Sequence, residues 1–271
     1  MSAPFFRVRE VSAADPASYI GALREIHAGE YQAMLVRGAF PVSDMHEVAA
    51  RLERGAGFDT LRFGPEFEAY MLGRGLDFAE DIDGYLDGEA TWSASCERLF
   101  SGLTSFEGRL DELFGALASP IPVTRPRLRG RPCLPDTIRR LPPGGRIPPH
   151  AEMEQTTRPP YAELNPQLDG LTLVSYFVCF APGEAGGELA VHDLRWGNVD
   201  ESVMHRGRTR VEHIVEQRAS VRLRPDAGDL VIFDGGRCFH EVLPVAGTET
   251  RWTGGGFVAL SQDGSCFYRW S

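Results

Sequence analysis

The chain has 271 residues, of which 42% are hydrophobic and 10% aromatic, so it can bury the core of one domain. Its formal net charge of −10 argues against a nucleic acid or an anionic membrane as the partner, and a small molecule is expected instead. No long apolar run predicts a membrane span, and Met1–Glu10 lacks the basic-then-apolar order of a signal peptide, so we expect a cytoplasmic protein.

The first part of the chain, residues 1–119, is predicted to be largely helical. Apolar residues at helical spacing, mixed with charged ones, run through Pro16–Val36, Ser43–Leu52 and Phe106–Leu117. From Pro120 the composition changes to proline, glycine and β-branched residues, which is typical of short strands between turns.

The second part, residues 120–271, contains about eight predicted strands, the number from which a double-sheet jelly roll is built. They are Thr137–Leu141, Arg146–His150, Leu171–Phe180, Glu188–Leu194, Ser220–Leu223, Asp229–Phe233, Cys238–Val245 and Trp252–Ser261. We therefore predict one domain over residues 1–271, mostly β with flanking helices and with a jelly-roll core at 120–271. The connections Met153–Gly170 and Trp196–Arg218 are longer than hairpin loops, and we expect them to be functional lids or disordered.

The cysteines do not indicate a disulfide framework or a zinc site. Their number is odd and none is spaced as CxxC, so they are predicted to be reduced and mostly buried. They are Cys96, Cys133, Cys179, Cys238 and Cys266.

A two-histidine, one-carboxylate pattern is the strongest chemical signal. Because side chains on a strand alternate, His150 and Glu152 are expected to project to the same side, where one ion can bind both. His240 follows the Gly235-Gly236 turn, so a hairpin can return it toward them. Three ligands on one face of an octahedron leave three positions open, which non-haem Fe(II) oxygenases use for a cosubstrate and dioxygen. His150, Glu152 and His240 are therefore the predicted metal ligands and catalytic residues.

Other histidines and carboxylates are weaker candidates for this site. Glu154 is the rival to Glu152, but from two positions further along it would have to reach back past its neighbour. His192, His205 and His213 lack a partner at ligand spacing and are predicted to be structural or exposed.

Arg251 lies eleven residues after His240 and is the predicted anchor for the far carboxylate of 2-oxoglutarate. A position on the strand after His240 would direct it into the barrel, where an unpaired guanidinium is costly without an anionic ligand. Thr253 faces the same way and would add a hydroxyl to that carboxylate. A cross-strand ion pair on the sheet surface is the alternative for Arg251.

Over nearly its whole length, the chain resembles the stand-alone iron and 2-oxoglutarate halogenases of the hapalindole and welwitindolinone alkaloid pathways and their hydroxylase relatives. The resemblance implies a double-stranded β-helix, or cupin-like, core, with His150 and His240 as iron ligands and Arg251 as the 2-oxoglutarate anchor. The segments that carry it are Met34–Pro41, Val174–Phe177, Glu184–Leu189, Gly228–Leu230, Phe233–Arg237, His240, Arg251, Gly255–Phe257 and Tyr268–Ser271.

Glu152 departs from the halogenase pattern, which has glycine or alanine two residues after the first histidine. In those enzymes the missing carboxylate frees a coordination position for chloride. With Glu152 in place, the resemblance implies hydroxylation of an unactivated C–H bond of a small molecule, with Fe(II), 2-oxoglutarate and dioxygen. A halogenase, desaturase or cyclase of the same family, with Glu152 outside the first coordination sphere, and a non-catalytic metal-binding cupin are the alternatives.

The substrate is expected to come from specialised metabolism, as for the relatives. The segment Phe67–Phe78 is predicted to form a lid helix over the metal, although apolar helical spacing is also typical of core packing. The loop arginines Arg206, Arg208 and Arg210 either attract an anionic substrate or belong to a solvated loop. The candidate substrate-binding residues are Tyr70, Met71, Phe78, Ile147, Met153 and Gln155.

Overall fold

The structure is a computed structural model that describes residues 5–55, 57–63, 68–200, 203–205 and 208–271, with the backbone alone at 204–205 and 208–209. Within these ranges the α-helices are α1 (Ala22–His27), α2 (Val42–Glu53), α3 (Ile82–Leu99), α4 (Phe106–Ala118) and α5 (Glu212–Val215). Short 3₁₀ segments cover Pro16–Ser18, Leu76–Phe78, Glu152–Thr157, Pro159–Glu163, Asn165–Gln167 and Trp196–Asn198.

The strands of the described ranges fall mainly in the second half of the chain. They are β1 (Val8–Ser12), β2 (Ala33–Arg37), β3 (Thr60–Arg62), β4 (Tyr70–Leu72), β5 (Val123–Thr124), β6 (Arg127–Leu128), β7 (Arg131–Pro132), β8 (Thr137–Leu141), β9 (Ile147–His150), β10 (Val174–Ala181), β11 (Ala185–Gly186), β12 (Leu189–Arg195), β13 (Met204–His205), β14 (Arg208–Thr209), β15 (Ser220–Leu223), β16 (Leu230–Phe233), β17 (Cys238–Val242), β18 (Val245–Ala246), β19 (Arg251–Leu260) and β20 (Phe267–Trp270).

Two facing sheets form a jelly roll, as predicted. The larger sheet contains the run β16-β10-β19-β8, and the smaller sheet has the order β15-β12-β17-β9. The chain alternates between the sheets as it passes from β8 to β9 and β10, and again from β16 to β17 and β19. These eight strands correspond to the eight predicted ones, so the prediction of a mostly β, jelly-roll core is confirmed.

The helices cover the outer face of the larger sheet. Helix α2 buries Met45, Val48 and Leu52, which recur at helical spacing. Helix α4 starts at Ser105, whose hydroxyl accepts a hydrogen bond from the Gly108 amide at 3.3 Å. The main hydrophobic core lies between these helices and the sheet.

Three local predictions were wrong. Pro16–Val36 is not one helix, because left-handed glycines at positions 21 and 29 bound α1 and the buried segment 33–37 becomes β2, between β1 and β16. Within 68–78 the expected lid helix is instead β4, which pairs with β8, followed by a 3₁₀ turn; Phe67 lies outside the described residues. The connection 153–170 is neither lid nor disordered loop but a chain of 3₁₀ turns that buries Tyr161 and Leu164.

The first 119 residues also supply strands β1 to β4 to the larger sheet, which the sequence did not predict. All five cysteines are unpaired and four are buried, in agreement with prediction. None of the helices in the described part of the chain is long and apolar enough to cross a membrane.

Candidate metal centre and cavity

His150 and His240 are brought together by strand pairing in the smaller sheet. They are register partners on β9 and β17, and their ring centroids are 4.3 Å apart. The pairing brings together two histidines that are separated by ninety positions in the sequence.

Glu152 lies just beyond the end of β9, as the first residue of a 3₁₀ turn. The intervening Ala151 keeps an extended backbone, with φ −129° and ψ 137°, so the side-chain alternation of the strand continues through it. The Glu152 Oε1 atom lies 3.7 Å from His150 Nε2 and 3.5 Å from His240 Nε2. The ligand atoms of the three residues lie within 4.8 Å of one another, and they form the single such cluster among the described residues.

The histidine tautomers suit metal binding. His150 Nδ1 lies 2.8 Å from the Pro148 carbonyl oxygen, and His240 Nδ1 lies 3.0 Å from that of Cys238. Because a carbonyl only accepts, each Nδ1 carries the proton and donates it. Each Nε2 lies on the side of its ring that faces Glu152, and it is the nitrogen that would bind a metal ion, as in metal-binding histidines.

The carboxylate of Glu152 is ionised and held in position. Burial alone would raise its pKa, but the two facing imidazoles hold that pKa well below its usual range. Burial and the nearby His150 lower the pKa of His240, which favours a neutral imidazole ligand. Gln155 Nε2 donates to Glu152 Oε2, and the Ser175 hydroxyl donates to Oε1 at 3.3 Å.

The alternatives to these ligands lie elsewhere. Glu154 is also buried but is directed to Arg158, with Oε1 3.5 Å from Nη2. His192 Nε2 lies 3.0 Å from Glu241 Oε1 on the neighbouring strand. His213 lies in α5, and the side chain of His205 is outside the described part of the structure.

Arg251 starts β19 and points into the barrel. It is only 3% exposed, and its guanidinium carbon lies 5.2 Å from the centre of the Phe177 ring. Among the described residues no carboxylate lies within 4.0 Å of it, so the surface ion pair considered from the sequence is not present. Burial lowers its pKa. Thr253 lines the same cavity two residues further along.

A cavity of about 220 Å³ joins the three ligand residues to Arg251 and Thr253. Three of the six residues proposed to bind substrate line it: Phe78, Ile147 and Gln155. The other three do not. Tyr70 lies across from Arg140 on the outer face of the sheet, Met71 is buried beneath the cavity wall, and Met153 packs against the main core.

Of the three loop arginines, Arg210 lines the cavity, Arg206 lies outside the described residues, and of Arg208 only the backbone is described.

Several cavity residues were not predicted. They are Ser175, Asp77, Arg158 and Arg139. The alternation of β8 was a usable signal for the last of these, since only one of the consecutive arginines at 139 and 140 can face inward. The position of Asp77 and Arg158 depends on how the 3₁₀ segments pack, which no sequence pattern indicates.

The chain has relatives in both sequence and structure. The sequence model of the family described as carrier-protein-independent halogenase WelO5 matches residues 5–271. A search of curated protein sequences gives no match. Among solved structures, an N-substituted L-amino acid dioxygenase from Burkholderia ambifaria AMMD is 18% identical, with a TM-score of 0.51 over 91% of this chain and 90% of that chain.

A second solved structure is the epimerase SnoN in complex with Fe3+, alpha ketoglutarate and nogalamycin RO. It is 13% identical, with a TM-score of 0.51 over 87% of this chain and 82% of that chain. At such identities these likenesses establish the fold, the jelly roll of the iron and 2-oxoglutarate oxygenases.

Proposed function

Because this chain belongs to the carrier-protein-independent halogenase WelO5 family and to the Fe(II)/2-oxoglutarate oxygenase superfamily, we propose that it is an iron- and 2-oxoglutarate-dependent hydroxylase. Its substrate is a free small molecule of specialised metabolism with an unactivated C–H bond. The observation that carries the proposal is the carboxylate of Glu152, which faces both histidine Nε2 atoms at 3.5–3.7 Å.

The residues present fit iron and 2-oxoglutarate. His150, Glu152 and His240 offer two neutral imidazole nitrogens and one carboxylate oxygen, the donor set of non-haem Fe(II) oxygenases. Arg251 is a buried cation in the same cavity with no carboxylate partner among the described residues, and a dicarboxylate would supply that partner. Bound iron and 2-oxoglutarate would supply dioxygen activation and removal of a substrate hydrogen.

Glu152 determines the predicted outcome of the reaction. The family's halogenases leave this coordination position to chloride, whereas here a side chain with an ionised carboxylate occupies it. Gln155 and Ser175 each donate a hydrogen bond to that carboxylate, which restrains its orientation toward the histidines. Because Glu152 fills the coordination position that chloride takes in the halogenases, we expect the substrate to receive oxygen rather than chlorine.

An anaerobic titration tests the cofactor assignment. Fe(II) and 2-oxoglutarate added to the metal-free protein should produce the visible charge-transfer band of a chelated 2-oxoacid, and Glu152→Ala should alter it. Glu154→Gln is the matched control, because Glu154 is buried nearby but lies outside the ligand cluster, and it should still bind iron. Bound iron without a band would favour the non-catalytic cupin.

The reaction outcome is tested by product mass. Under oxygen and with chloride present, any compound that stimulates succinate formation should gain one oxygen atom. A chlorinated product from the wild-type protein would show that Glu152 does not exclude halide, and would replace the hydroxylase with a halogenase. A product that lacks two hydrogens would indicate a desaturase or cyclase.

A further inference from the structure

Besides Arg251, the cavity is lined by Arg139, Arg158 and Arg210, which the proposed reaction does not use. Arg139 lies on β8 as the register partner of Thr253, and it lines the cavity together with Arg251. We propose that Arg139 binds an acidic group of the substrate, a carboxylate or a phosphate monoester, and that the substrate is therefore a hydrophobic acid. This inference rests on the proposed function and narrows its substrate class.

Among the described residues, the guanidinium of Arg139 has polar and aromatic neighbours but no ion-pair partner. Its Nη1 atom donates to Thr137 Oγ1 at 2.5 Å, and its central carbon lies 5.2 Å from the centre of the Phe63 ring. The carboxylates of Asp77 and Glu152 act on it electrostatically, but neither forms an ion pair with it within 4.0 Å. Arg139 is half-buried, and a partly desolvated cation without a close counter-ion favours a ligand that supplies the negative charge.

Arg139 and Arg251 are separate cations on adjacent strands of the same cavity wall, with different neighbours. Arg251 pairs across the sheet with Leu141, two residues along β8 from Arg139. Arg251 contacts Phe177, whereas Arg139 contacts Phe63 and is the arginine influenced by the carboxylate of Glu152. A cosubstrate bound to Arg251 and a substrate acid bound to Arg139 can therefore be held by separate cations.

Part of the wall near Arg139 is apolar. Phe63 and Phe78 pack edge to face with centroids 5.1 Å apart, and Ile147 lines the cavity beside the first metal ligand. The apolar part of the substrate would contact these side chains while its acidic group binds the guanidinium of Arg139. The buried Asp77 would repel a second acidic group, which favours a single acid per substrate.

The test uses the full-length protein loaded with Fe(II) and 2-oxoglutarate under anaerobic conditions. The probes are octanoate, dodecanoate and 4-phenylbutanoate, each paired with its primary amide, together with octyl phosphate. Binding is measured from the change in the charge-transfer band, and stimulation of succinate formation is then measured under oxygen. We expect at least one acid to bind about 10- to 100-fold more tightly than its amide, because a charge-assisted hydrogen bond contributes that difference in affinity.

Arg139→Met should remove this preference for the acid while leaving amide binding and the 2-oxoglutarate band unchanged, and Arg139→Lys should retain part of it. The matched control is Arg140→Met, because Arg140 is on the same strand but stacks on Tyr70 and Trp252 outside the cavity. Preference for octyl phosphate over the carboxylates would identify a phosphate ester as the acid.

Three results would overturn the inference: equal binding of acids and amides, failure of every acid to bind, or loss of the 2-oxoglutarate band in Arg139→Met. The last would assign Arg139 to the cosubstrate. Each of these leaves the proposed function standing as long as the wild-type protein gives the band. Absence of the band from the wild type would contradict the proposed function itself.

Discussion

Replacing Arg251 with methionine should weaken 2-oxoglutarate binding and at the same time stabilise the ligand-free protein. The guanidinium is 3% exposed, lies on the Phe177 ring and has no carboxylate partner among the described residues. Burial lowers its pKa, which reflects the free energy spent on keeping the cation out of water. Methionine keeps an unbranched apolar side chain but removes the charge.

The two effects have opposite signs and can be estimated. Removing one member of a buried ion pair costs about 3–5 kcal/mol, so the dissociation constant of 2-oxoglutarate should rise by about 150- to 4,000-fold. Without ligand, exchanging an unpaired buried cation for an apolar side chain should raise the free energy of unfolding by about 1–4 kcal/mol. A purely structural arginine would give a loss of stability instead.

Anaerobic titration measures the first quantity, and thermal or urea unfolding with and without 2-oxoglutarate measures the second. Added 2-oxoglutarate should stabilise the wild type but not the variant, since only a ligand that binds the folded state shifts the equilibrium. Arg140→Met, on the outer face of the same sheet, should bind 2-oxoglutarate as the wild type does. Binding by Arg251→Met within about threefold of the wild-type value would refute the reasoning.

Three further substitutions probe the cavity and its support. Burial raises the pKa of Asp77 from 3.8 to about 6, so the free energy of unfolding should fall as pH rises across that interval. Asp77→Asn should be more stable than wild type at pH 8 by up to about 3 kcal/mol, and by about half as much at pH 5, as urea unfolding would reveal. Gly187→Ala would place a Cβ 2.8 Å from Cδ of Arg251 and should weaken 2-oxoglutarate binding in the anaerobic titration. Gly183 also has a positive φ but more space around it, so Gly183→Ala should lower the stability of the protein without changing its affinity for 2-oxoglutarate. Tyr85→Phe removes a buried hydroxyl with two hydrogen bonds to backbone groups and should cost about 1–3 kcal/mol in urea unfolding, with the charge-transfer band unchanged.

The jelly-roll strands could be predicted from sequence because each is a short apolar run between turn residues. Thr137–Leu141 and Ser220–Leu223 have the predicted bounds, and the other six differ by only a few residues. The position of Glu152 was predicted from strand alternation, although the strand itself ends at His150 and only the extended backbone of Ala151 continues it. Spacing therefore predicted the cluster of ligand residues better than the element that carries them.

What could not be predicted depends on tertiary contacts. The segment 33–37 has the composition of a buried helix or a buried strand, and it becomes β2 because β1 and β16 offer hydrogen-bonding edges on both sides. Tyr70 and Met71 were placed on a lid, but pairing with β8 makes them part of the sheet and turns Tyr70 away from the cavity. The same pairing of β4 with β8 places the side chain of Arg139 on the cavity side of the sheet.

The net charge of the chain and the charged residues that line its cavity predict different ligands. At −10 the surface repels anions, but surface charges are largely screened beyond about 8 Å at physiological ionic strength. Screening by solvent is weaker inside a cavity, so Arg139 and Arg251 would act on a bound anion more strongly than the distant surface carboxylates. Glu152, close to both histidines, attracts the cation instead. The proposed binding of a metal ion by Glu152 and the two histidines, and of acids by the two arginines, therefore depends on charges inside the cavity, which net charge alone could not have indicated.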